Sequence, residues 1–218
     1  MVNLNFIKSK EILSKYSIFS CKEKLVSSKK EALLFVEKIK FPVVLKISSP
    51  NIFHLTDVGG LKQSIKNKKE LEKAWDDILF SVKKNKPKAL IEGFLIQKEI
   101  DGIEIVVGMK RSREFGPVLM FGLGGILVEI LKDVSFGIAP LSRSIATKMI
   151  KEVRGYRLLR GFRGYAAVNL EKIVDVLINL SRLSLENQNI KEVDLNPVII
   201  NDKKALVVDA YFLYEKNQ

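Results

Sequence analysis

Apolar residues recur at helical intervals in five segments of the chain, with lysines between them in most of these segments. The segments are residues 7–16, 29–40, 68–84, 144–152 and 170–185. A repeat near 3.6 residues is typical of amphipathic helices that pack one face against a core. The pattern therefore predicts five helices.

Runs of β-branched and aliphatic residues, bounded by turn residues, predict the strands. Val43–Ile47 follows directly after Phe41-Pro42, and residues 89–100 and 103–111 flank a turn at Asp101-Gly102. Further strands are predicted at residues 117–121, 198–201 and 205–212, the last two joined by a polar hairpin turn at 202–204. Because helices alternate irregularly with hairpins, we expect an α+β fold in two lobes and not a doubly wound sheet.

The composition is typical of a soluble globular protein. The chain has 218 residues, 47% of them apolar and 28% charged. Its single cysteine, Cys21, excludes a disulfide framework and indicates a reducing compartment, and with the single histidine, His54, it excludes a Cys/His zinc site. The N-terminus has no apolar signal core, and the uncharged stretch 115–128 is too short for a membrane helix. We therefore expect a cytoplasmic protein without a membrane partner.

The net charge of +12 allows two interpretations. A basic nucleic-acid-binding protein would gather its Lys and Arg on one face and interleave aromatic residues among them. The lysines here are spread along the whole chain, which favours a solvated basic surface. Such a surface still raises the local concentration of a nucleotide.

One candidate site combines a strand lysine with the loop that follows it. Lys46 interrupts an apolar strand, where its ammonium needs an anion or solvent. The loop ends in Asp57-Val-Gly-Gly60, and glycine amides can approach phosphate oxygens closely. His54 lies in the same loop, and an imidazole can carry a phosphoryl group. The alternatives are a lysine that reaches solvent and a histidine that only hydrogen-bonds within its loop.

A second candidate site lies near the C-terminus. Asp194 and Asn196 alternate along one predicted strand, so they share a face, and Asp209 follows in the next strand. Carboxylate and amide oxygens without a histidine suit Mg²⁺ held together with nucleotide phosphates. The alternative is a solvated sheet edge with a turn at Asn-Pro. The glycine-rich tract 120–129 is either an anion- or acyl-binding turn or a tight corner.

Five stretches, in order from about residue 8 to 213, carry a family resemblance. They are KYSIF, FPVVLKISSPNIFHLTDVGGL, GIEIVVGMKRSREFGPVLMFGLGGILVEILKDVSFGIAPL, RGFRG and KEVDLNPVII. Together they resemble the beta subunit of ADP-forming acetate–CoA ligase, an acyl-CoA synthetase with the ATP-grasp fold. The resemblance implies one ATP-grasp domain over 1–218, with two α+β lobes and nucleotide between them. Its expected parts are an N-terminal segment (1–22), a first lobe with the phosphate loop (23–95) and a second lobe with the hinge and metal site (96–218).

The resemblance also implies roles for single residues. Lys46 would contact the nucleotide phosphates, Gly59 and Gly60 would belong to a flexible phosphate loop, and His54 would be a phosphohistidine. The remaining implied residues are the adenine hinge from Gln97 to Ile100, with backbone contacts from Glu99 and Ile100, the ribose-binding Glu104, and the Mg²⁺ site of Asn196 and Asp209 with Asp194 close by.

The implied reaction converts acyl-CoA, ADP and phosphate reversibly into the acid, CoA and ATP. An alpha subunit would bind CoA, form an acyl phosphate and pass the phosphoryl group to its own histidine, and His54 would relay it to ADP. The enzyme would be a hetero-oligomer, for which α2β2 is one arrangement. The chain departs from the family pattern at Gly137, where arginine is usual, and at Ala166-Ala167, where a proline-rich stretch is usual.

Three alternatives to this function stay open. They are another ATP-grasp ligase subunit of the succinyl–CoA ligase beta type, an ATP-grasp module that binds nucleotide without turnover, and a basic nucleic-acid-binding protein.

Overall fold

A computed structural model describes residues 2–4, 6–52, 55–125, 128, 131–164 and 166–215. The chain divides into two compact units, residues 21–100 and residues 1–20 with 101–218. This boundary lies beyond residue 95, where the sequence analysis placed the end of the first lobe. The N-terminal segment up to Ser20 belongs to the larger unit.

The described residues form helices and strands in the following order. The helices are α1 (Phe6–Lys15), α2 (Lys29–Ile39), α3 (Lys68–Asn85), α4 (Arg143–Glu152), α5 (Tyr156–Leu159) and α6 (Leu170–Glu186), with a short 3-10 helix at Thr56–Val58. The strands are β1 (Val2–Asn3), β2 (Glu23–Val26), β3 (Val43–Ser48), β4 (Leu61–Ile65), β5 (Gly93–Lys98), β6 (Ile103–Ser112), β7 (Gly116–Leu123), β8 (Val134–Ile138), β9 (Ile190–Ile200), β10 (Ala205–Val207) and β11 (Ala210–Tyr214).

The smaller unit is a four-stranded antiparallel sheet in the order β2-β5-β3-β4, with α2 and α3 packed on it. Helix α3 is capped by Asn67, whose side chain accepts a hydrogen bond from the Glu70 N–H (3.0 Å). Its apolar face is buried, and Trp75 stacks on Phe94 of β5 with ring centroids 3.8 Å apart. One face of the sheet therefore forms the core of this unit.

The larger unit is a sheet in the order β1-β11-β9-β6-β7-β8, with β10 also paired to β9. Helices α1, α4 and α6 contribute buried residues to the core on one face of this sheet. Leu119 and Phe121 on β7 and Leu195 on β9 point into that core. The residues that alternate with them along each strand point to the opposite face. Glu104, Asp194 and Asn196 lie on the face away from the core.

The predicted α+β class and the five predicted helices are confirmed, but four strands were missed, namely β1, β2, β4 and β8. Strand β4 has the sequence LKQSI and buries only its last residue fully, so it lacks the apolar alternation of a half-buried strand. Strands β2 and β8 are similarly short and poor in buried residues. The strand predicted over 205–212 is interrupted at Val208 and Asp209, which separate β10 from β11.

The glycine at position 137 is accommodated by the core next to it. A Cβ on Gly137 would lie 2.6 Å from Sδ of Met149 and 2.9 Å from Cδ2 of Leu141. These two side chains occupy the space that a larger residue would need. In the described part of the chain, no helix is both long and apolar enough to cross a membrane.

Candidate functional site

Lys46 lies on a central strand of the smaller sheet, on the face opposite the core. Its neighbours along β3, Leu45 and Ile47, are buried in the core, and Lys46 alternates with them. Its cross-strand neighbours are Leu61 on β4 and Leu95 on β5. The side chain is half-buried, so its stem lies near apolar neighbours and its charged end lies on the face of the sheet away from the core.

The two glycines of the predicted phosphate loop shape the turn after the 3-10 helix. The Gly59 N–H donates to the Thr56 carbonyl (3.1 Å), and the Gly60 N–H donates to the Leu55 carbonyl (2.8 Å). Gly59 has φ 68, and a Cβ there would lie 2.9 Å from Cβ of Ser81 on α3. In this conformation neither amide is available to a phosphate. Both amides therefore close the turn here, and the membership of Gly59 and Gly60 in a phosphate loop stays a prediction.

The predicted adenine hinge, Gln97 to Ile100, is fixed by contacts within the smaller unit. The Gln97 side chain is 1% exposed, and its amide donates to the Glu23 carboxylate. The Glu99 N–H donates to the Pro42 carbonyl (3.2 Å), which leaves the Glu99 carbonyl as the group of this residue's backbone that can meet a base. One Glu99 carboxylate oxygen also accepts hydrogen bonds from the N–H (3.2 Å) and hydroxyl (3.1 Å) of Ser64.

Sequence reasoning missed one contact that orders the hinge. The Lys98 ammonium donates to three successive carbonyls, those of Lys40 (3.1 Å), Phe41 (2.9 Å) and Pro42 (3.3 Å). All three donors of the ammonium are therefore used to tie β5 to the turn that ends α2. Carbonyls left unpaired at a helix end attract cations, so the end of α2 is the feature that could have indicated a lysine contact here.

In the larger unit, Glu104 lies near the start of β6 with its side chain exposed. The Gly124 N–H donates to the Glu104 carbonyl (2.7 Å). A Cβ on Gly124 would lie 2.7 Å from Cβ of Glu104, so only glycine lets the two backbones approach this closely. The described part of the glycine-rich tract therefore closes on Glu104, while residues 126, 127, 129 and 130 lie outside the described residues.

We expect Gly102→Ala to destabilise the strand that carries Glu104. A Cβ at Gly102 would lie 2.4 Å from the carbonyl oxygen of Ile200 and 2.8 Å from Cγ2 of Ile199. Relieving this overlap requires β6 to move away from β9, at a cost of about 1–3 kcal/mol in the free energy of unfolding. Urea denaturation measures it, with Gly108→Ala on the same strand as the control, where the nearest atom is a methionine methyl at 3.4 Å. Equal stability of the two variants would contradict the prediction.

Asn196 and Asp209 lie opposite each other where β9 passes the interruption between β10 and β11. The Asn196 N–H donates to the Asp209 carbonyl (3.2 Å), and the Val208 N–H donates to the Pro197 carbonyl (3.0 Å). Both side chains are exposed, and Oδ1 of Asp209 accepts a hydrogen bond from the Ala210 N–H (2.9 Å). The backbone of Asp209 thus lies opposite that of Asn196 at the interruption of the strand.

Asp194 lies two residues before Asn196 on the same face of β9. Val193 and Leu195 on either side of it are buried, which confirms the predicted alternation. Burial raises the pKa of the Asp194 carboxyl, and the carboxylates of Glu192 and Asp209 raise it further. In the described part of the chain, no three Asp, Glu, Cys or His side chains converge as a preformed metal centre. The predicted set consists of two carboxylates and one amide.

We expect Asp194→Asn to raise the free energy of unfolding at pH 7 when no divalent cation is present. The folded state holds the Asp194 pKa above its unfolded value of about 3.9, so the protonated form is favoured on folding. The protonated Asp194 carboxyl therefore stabilises the folded protein fully at pH values below the unfolded pKa, and this stabilisation is lost as the pH rises through the folded pKa. Urea denaturation should separate variant and wild type at pH 7 and show little difference near pH 4.

The matched control for this prediction is Asp202→Asn, which replaces an exposed carboxylate in the hairpin turn. It should leave the free energy of unfolding unchanged at both pH values. An Asp194→Asn variant no more stable than wild type at pH 7 would contradict the electrostatic account of this strand.

The structure brings Asn196 and Asp209 together and places Asp194 on the same face. His54 lies outside the described residues, so its proposed role rests on the sequence alone. Lys46 and the hinge belong to the smaller unit, and Glu104, Asp194, Asn196 and Asp209 belong to the larger one.

Comparisons with known proteins agree over nearly the whole chain. A family profile for the ATP-grasp domain matches residues 2–213. The ADP-forming acetate–CoA ligase I subunit beta of Pyrococcus furiosus is 43% identical over 204 residues, which cover 93% of this chain and 88% of that subunit. The ADP-forming acetate–CoA ligase I of Archaeoglobus fulgidus is 46% identical over 91% of this chain, which spans only 29% of that longer protein.

Solved structures show the same similarity. Acetyl-coenzyme A synthetase 1 of Ca. Korarchaeum cryptofilum, in complex with coenzyme A and Ca-AMPCP, has a TM-score of 0.91 and 46% identity. The match covers 97% of this chain and 93% of that one. A second structure of that enzyme, with coenzyme A and Mg-AMPPCP, has its phosphohistidine segment pointing towards the nucleotide binding site, and here the TM-score is 0.83 at 42% identity, covering 97% of this chain and 92% of that one.

Proposed function

Because this chain belongs to the ATP-grasp family of ADP-forming acetate–CoA ligase beta subunits, we propose that it is the nucleotide-binding subunit of such a ligase. The enzyme would convert acyl-CoA, ADP and phosphate into the acid, CoA and ATP, reversibly. The observation that carries the proposal is the 43% identity to a separate beta subunit across 88% of that subunit's length.

In the smaller unit, the nucleotide contacts are assigned to Lys46 and to the hinge. The ammonium of the half-buried Lys46 side chain would pair with phosphate oxygens. Hydrogen bonds between ionised groups are stronger than those between neutral groups. Gly59 and Gly60 would shape the loop that carries His54. Glu99 and Ile100 would meet the base through their backbone, with Glu99 accepting a hydrogen bond at its carbonyl.

In the larger unit, Glu104 is assigned to the ribose hydroxyls and the β9 strand to the metal. The oxygen ligands of Asn196 and Asp209 fit Mg²⁺, and Asp194 adds a second carboxylate on the same face. Burial raises the pKa of Asp194, and so does repulsion by Glu192 and Asp209, which a divalent cation would offset. When bound, Mg²⁺ would neutralise charge on the nucleotide phosphates during transfer.

His54 is assigned as the phosphoryl relay. Its imidazole nitrogen would attack the phosphorus of the partner's phosphohistidine, forming one P–N bond while the other breaks, and the proton that His54 loses would pass to the imidazole that leaves. The β-phosphate oxygen of ADP would then attack the same phosphorus, forming the P–O bond of ATP and freeing the imidazole. The support comes from the Korarchaeum enzyme, whose phosphohistidine segment points towards the nucleotide site in one structure.

The acid substrate is assigned to the partner and not to this chain. Relatives named for acetate and for 4-hydroxybutyrate are 46% and 39% identical to this chain over more than nine-tenths of its length. Proteins that act on different acids thus share a similar ATP-grasp part. A partner carrying the CoA-binding and acid-binding parts would complete the reaction.

A reconstitution experiment tests the proposed function. The chain is mixed with its CoA-binding partner, CoA, Mg²⁺ and ATP, and short carboxylic acids are screened for release of ADP. We expect ADP release that needs both proteins, Mg²⁺ and one class of acid. ADP release that does not depend on CoA and acid, or none with any acid although nucleotide binds, would contradict the proposal.

A further inference from the structure

Arginines are concentrated in one short segment that starts after α4. The chain has 29 lysines, spread over its whole length, but only eight arginines. Four of the eight lie in residues 154–163, here called the arginine segment, and they are Arg154, Arg157, Arg160 and Arg163. The segment contains no acidic residue. It is therefore a local feature, distinct from the dispersed lysines of the basic surface.

Backbone hydrogen bonds place these arginines on one side of the segment. Four bonds run from an N–H to the carbonyl three residues earlier, with lengths of 2.9–3.3 Å and with Tyr156, Leu158, Arg160 and Gly161 as donors. At about three residues per turn, side chains three positions apart lie above one another, with a rise of about 6 Å between them. The first three arginines occur at every third position, so they form an arginine ladder along one side.

The other side of the segment is fixed in the core of the larger unit. Val153 and Leu159 are buried there. The N–H groups of Arg154 and Gly155 donate to the two carboxylate oxygens of Asp133 (2.8 and 2.9 Å). All four arginine side chains are exposed. Because the backbone is held in this way, binding a ligand would order only side chains.

The guanidinium groups of the arginine segment form no ion pair within the described part of the chain. Arginines elsewhere are used internally, since Arg143 pairs with Glu171 and Asp175, and Arg111 donates to backbone carbonyls. Positive charges without counter-charges attract a ligand that carries several negative charges. Guanidinium groups also bind phosphate oxygens through two parallel hydrogen bonds, which an ammonium group cannot do.

Aromatic residues are interleaved with these arginines. An arginine–glycine–aromatic pattern occurs three times, as RGY at 154–156, RGF at 160–162 and RGY at 163–165, with Tyr165 outside the described residues. Phe162 is 46% exposed, and the Arg163 guanidinium lies 5.4 Å from the centroid of its ring. An exposed ring beside guanidinium groups offers a base its stacking surface and a phosphate its partner.

We propose that the arginine segment binds single-stranded nucleic acid, as an activity separate from the ligase reaction. Phosphates of the strand would pair with the arginine ladder, and one base would stack on the Phe162 ring. Clustered basic residues and interleaved aromatic residues, the two features expected of a nucleic-acid-binding surface, occur together in this segment. The segment packs on the core side of the larger sheet, whereas Glu104, Asp194 and Asn196 lie on the opposite face.

A single strand fits the segment better than other phosphate-bearing ligands. In a duplex the base faces are stacked inside the helix, so the Phe162 ring would have no base to contact. Inorganic polyphosphate would use the guanidinium groups and leave the ring unused. A nucleoside diphosphate carries its charges at one end only, whereas the arginines extend over successive turns.

The arginine ladder is tested in the full chain with Arg157→Gln and Arg160→Gln combined. The control, Lys69→Gln with Lys73→Gln, makes the same change in net charge at exposed positions of α3. Fluorescence anisotropy measures affinity for a labelled oligouridine of about 12 nucleotides, with and without saturating Mg-ADP. At about 100 mM NaCl, we expect the arginine variant to lose about tenfold or more and the control less than about twofold. The slope of log affinity against log salt concentration should fall in magnitude by about 1.4, because each phosphate contact on a single strand contributes about 0.7.

The aromatic ring is tested with Phe162→Leu. The control is Phe80→Leu, at a phenylalanine on α3 that is 70% exposed. We expect Phe162→Leu to weaken oligouridine binding by about fivefold or more without changing the salt slope, because stacking is not ionic. The control should bind as wild type does. Melting temperature and Mg-ADP affinity should match wild type in all variants.

Unchanged oligouridine affinity in either test variant would overturn the proposal, and so would failure of wild type to bind the strand at about 50 mM NaCl. Displacement of the strand by Mg-ADP would overturn it as well, because the strand would then occupy the nucleotide site. Equal affinity for inorganic polyphosphate or polyglutamate would show attraction by charge alone and contradict the assignment to nucleic acid. The ligase reaction is tested independently by ADP release from the reconstituted enzyme.

Discussion

Replacing His54 with alanine is expected to abolish phosphoryl exchange while leaving the affinity for Mg-nucleotide nearly unchanged. The imidazole of His54 is assigned as the group that carries the phosphoryl group, and the chain has no second histidine to replace it. Loss of a nucleophile lowers turnover by roughly 10³-fold or more. The measurement is the rate of label exchange between ADP and ATP in the reconstituted enzyme, compared with calorimetric binding of Mg-ADP to the variant alone.

The comparison of the two readouts separates a relay from a structural role. If His54 only holds its loop, its removal should weaken nucleotide binding and lower the melting temperature together. His54→Asn serves as the second variant, because an amide can keep a loop hydrogen bond but cannot carry the phosphoryl group. Turnover in either variant comparable to wild type would remove His54 from the mechanism.

Replacing Lys46 with methionine is expected to weaken Mg-ADP binding by about 10- to 100-fold. The change keeps an apolar stem at this position, whose cross-strand neighbours are Leu61 and Leu95, and removes the charge. A hydrogen bond to a charged group contributes about 1.5–3 kcal/mol, which corresponds to that loss of affinity. Because the ammonium is half-buried and has no other assigned partner, we expect the free protein to be as stable as wild type or more so.

Lys62→Met is the matched control for Lys46. Lys62 lies on the neighbouring strand β4, opposite Leu45, so its side chain does not share the face of Lys46. The control makes the same change in net charge and should leave the dissociation constant for Mg-ADP unchanged. An equal loss in both variants would indicate that the general basic field, and not Lys46, attracts the nucleotide.

Much of the fold could be predicted from the sequence because long periodic segments carry a strong signal. Helix α3 and strand β3 combine apolar spacing with clear ends, an Asn67 cap and the Phe41-Pro42 dipeptide. Strand β4 could not be predicted, since its hydrogen bonds come from pairing with β3 and not from its own sequence. The interruption of the strand at Val208 and Asp209 has the same cause, because it depends on the bulged pairing near Asn196.

The candidate site could also be predicted only in part. Sequence reasoning found Asp194 and Asn196 on one face because alternation is a local property of strands. It missed the Lys98 contact with three carbonyls and the use of the Gly59 and Gly60 amides in closing their turn, since the folded backbone decides these hydrogen-bond partners. The exposure of Phe136 and Ile138 also required the strand order, in which β8 is an edge strand among the described residues.

Mass spectrometry of the isolated chain after incubation with Mg-ATP tests the relay most directly. Transfer of the γ-phosphoryl group should form a P–N bond at His54 and release one ADP per phosphorylated chain, and added ADP should reverse it. We expect a phosphoramidate that is labile in acid and stable in base, confined to the peptide containing residue 54. A phosphoryl group on any other residue, or none on a chain that demonstrably binds Mg-ATP, would contradict the assignment of this subunit as a phosphohistidine relay.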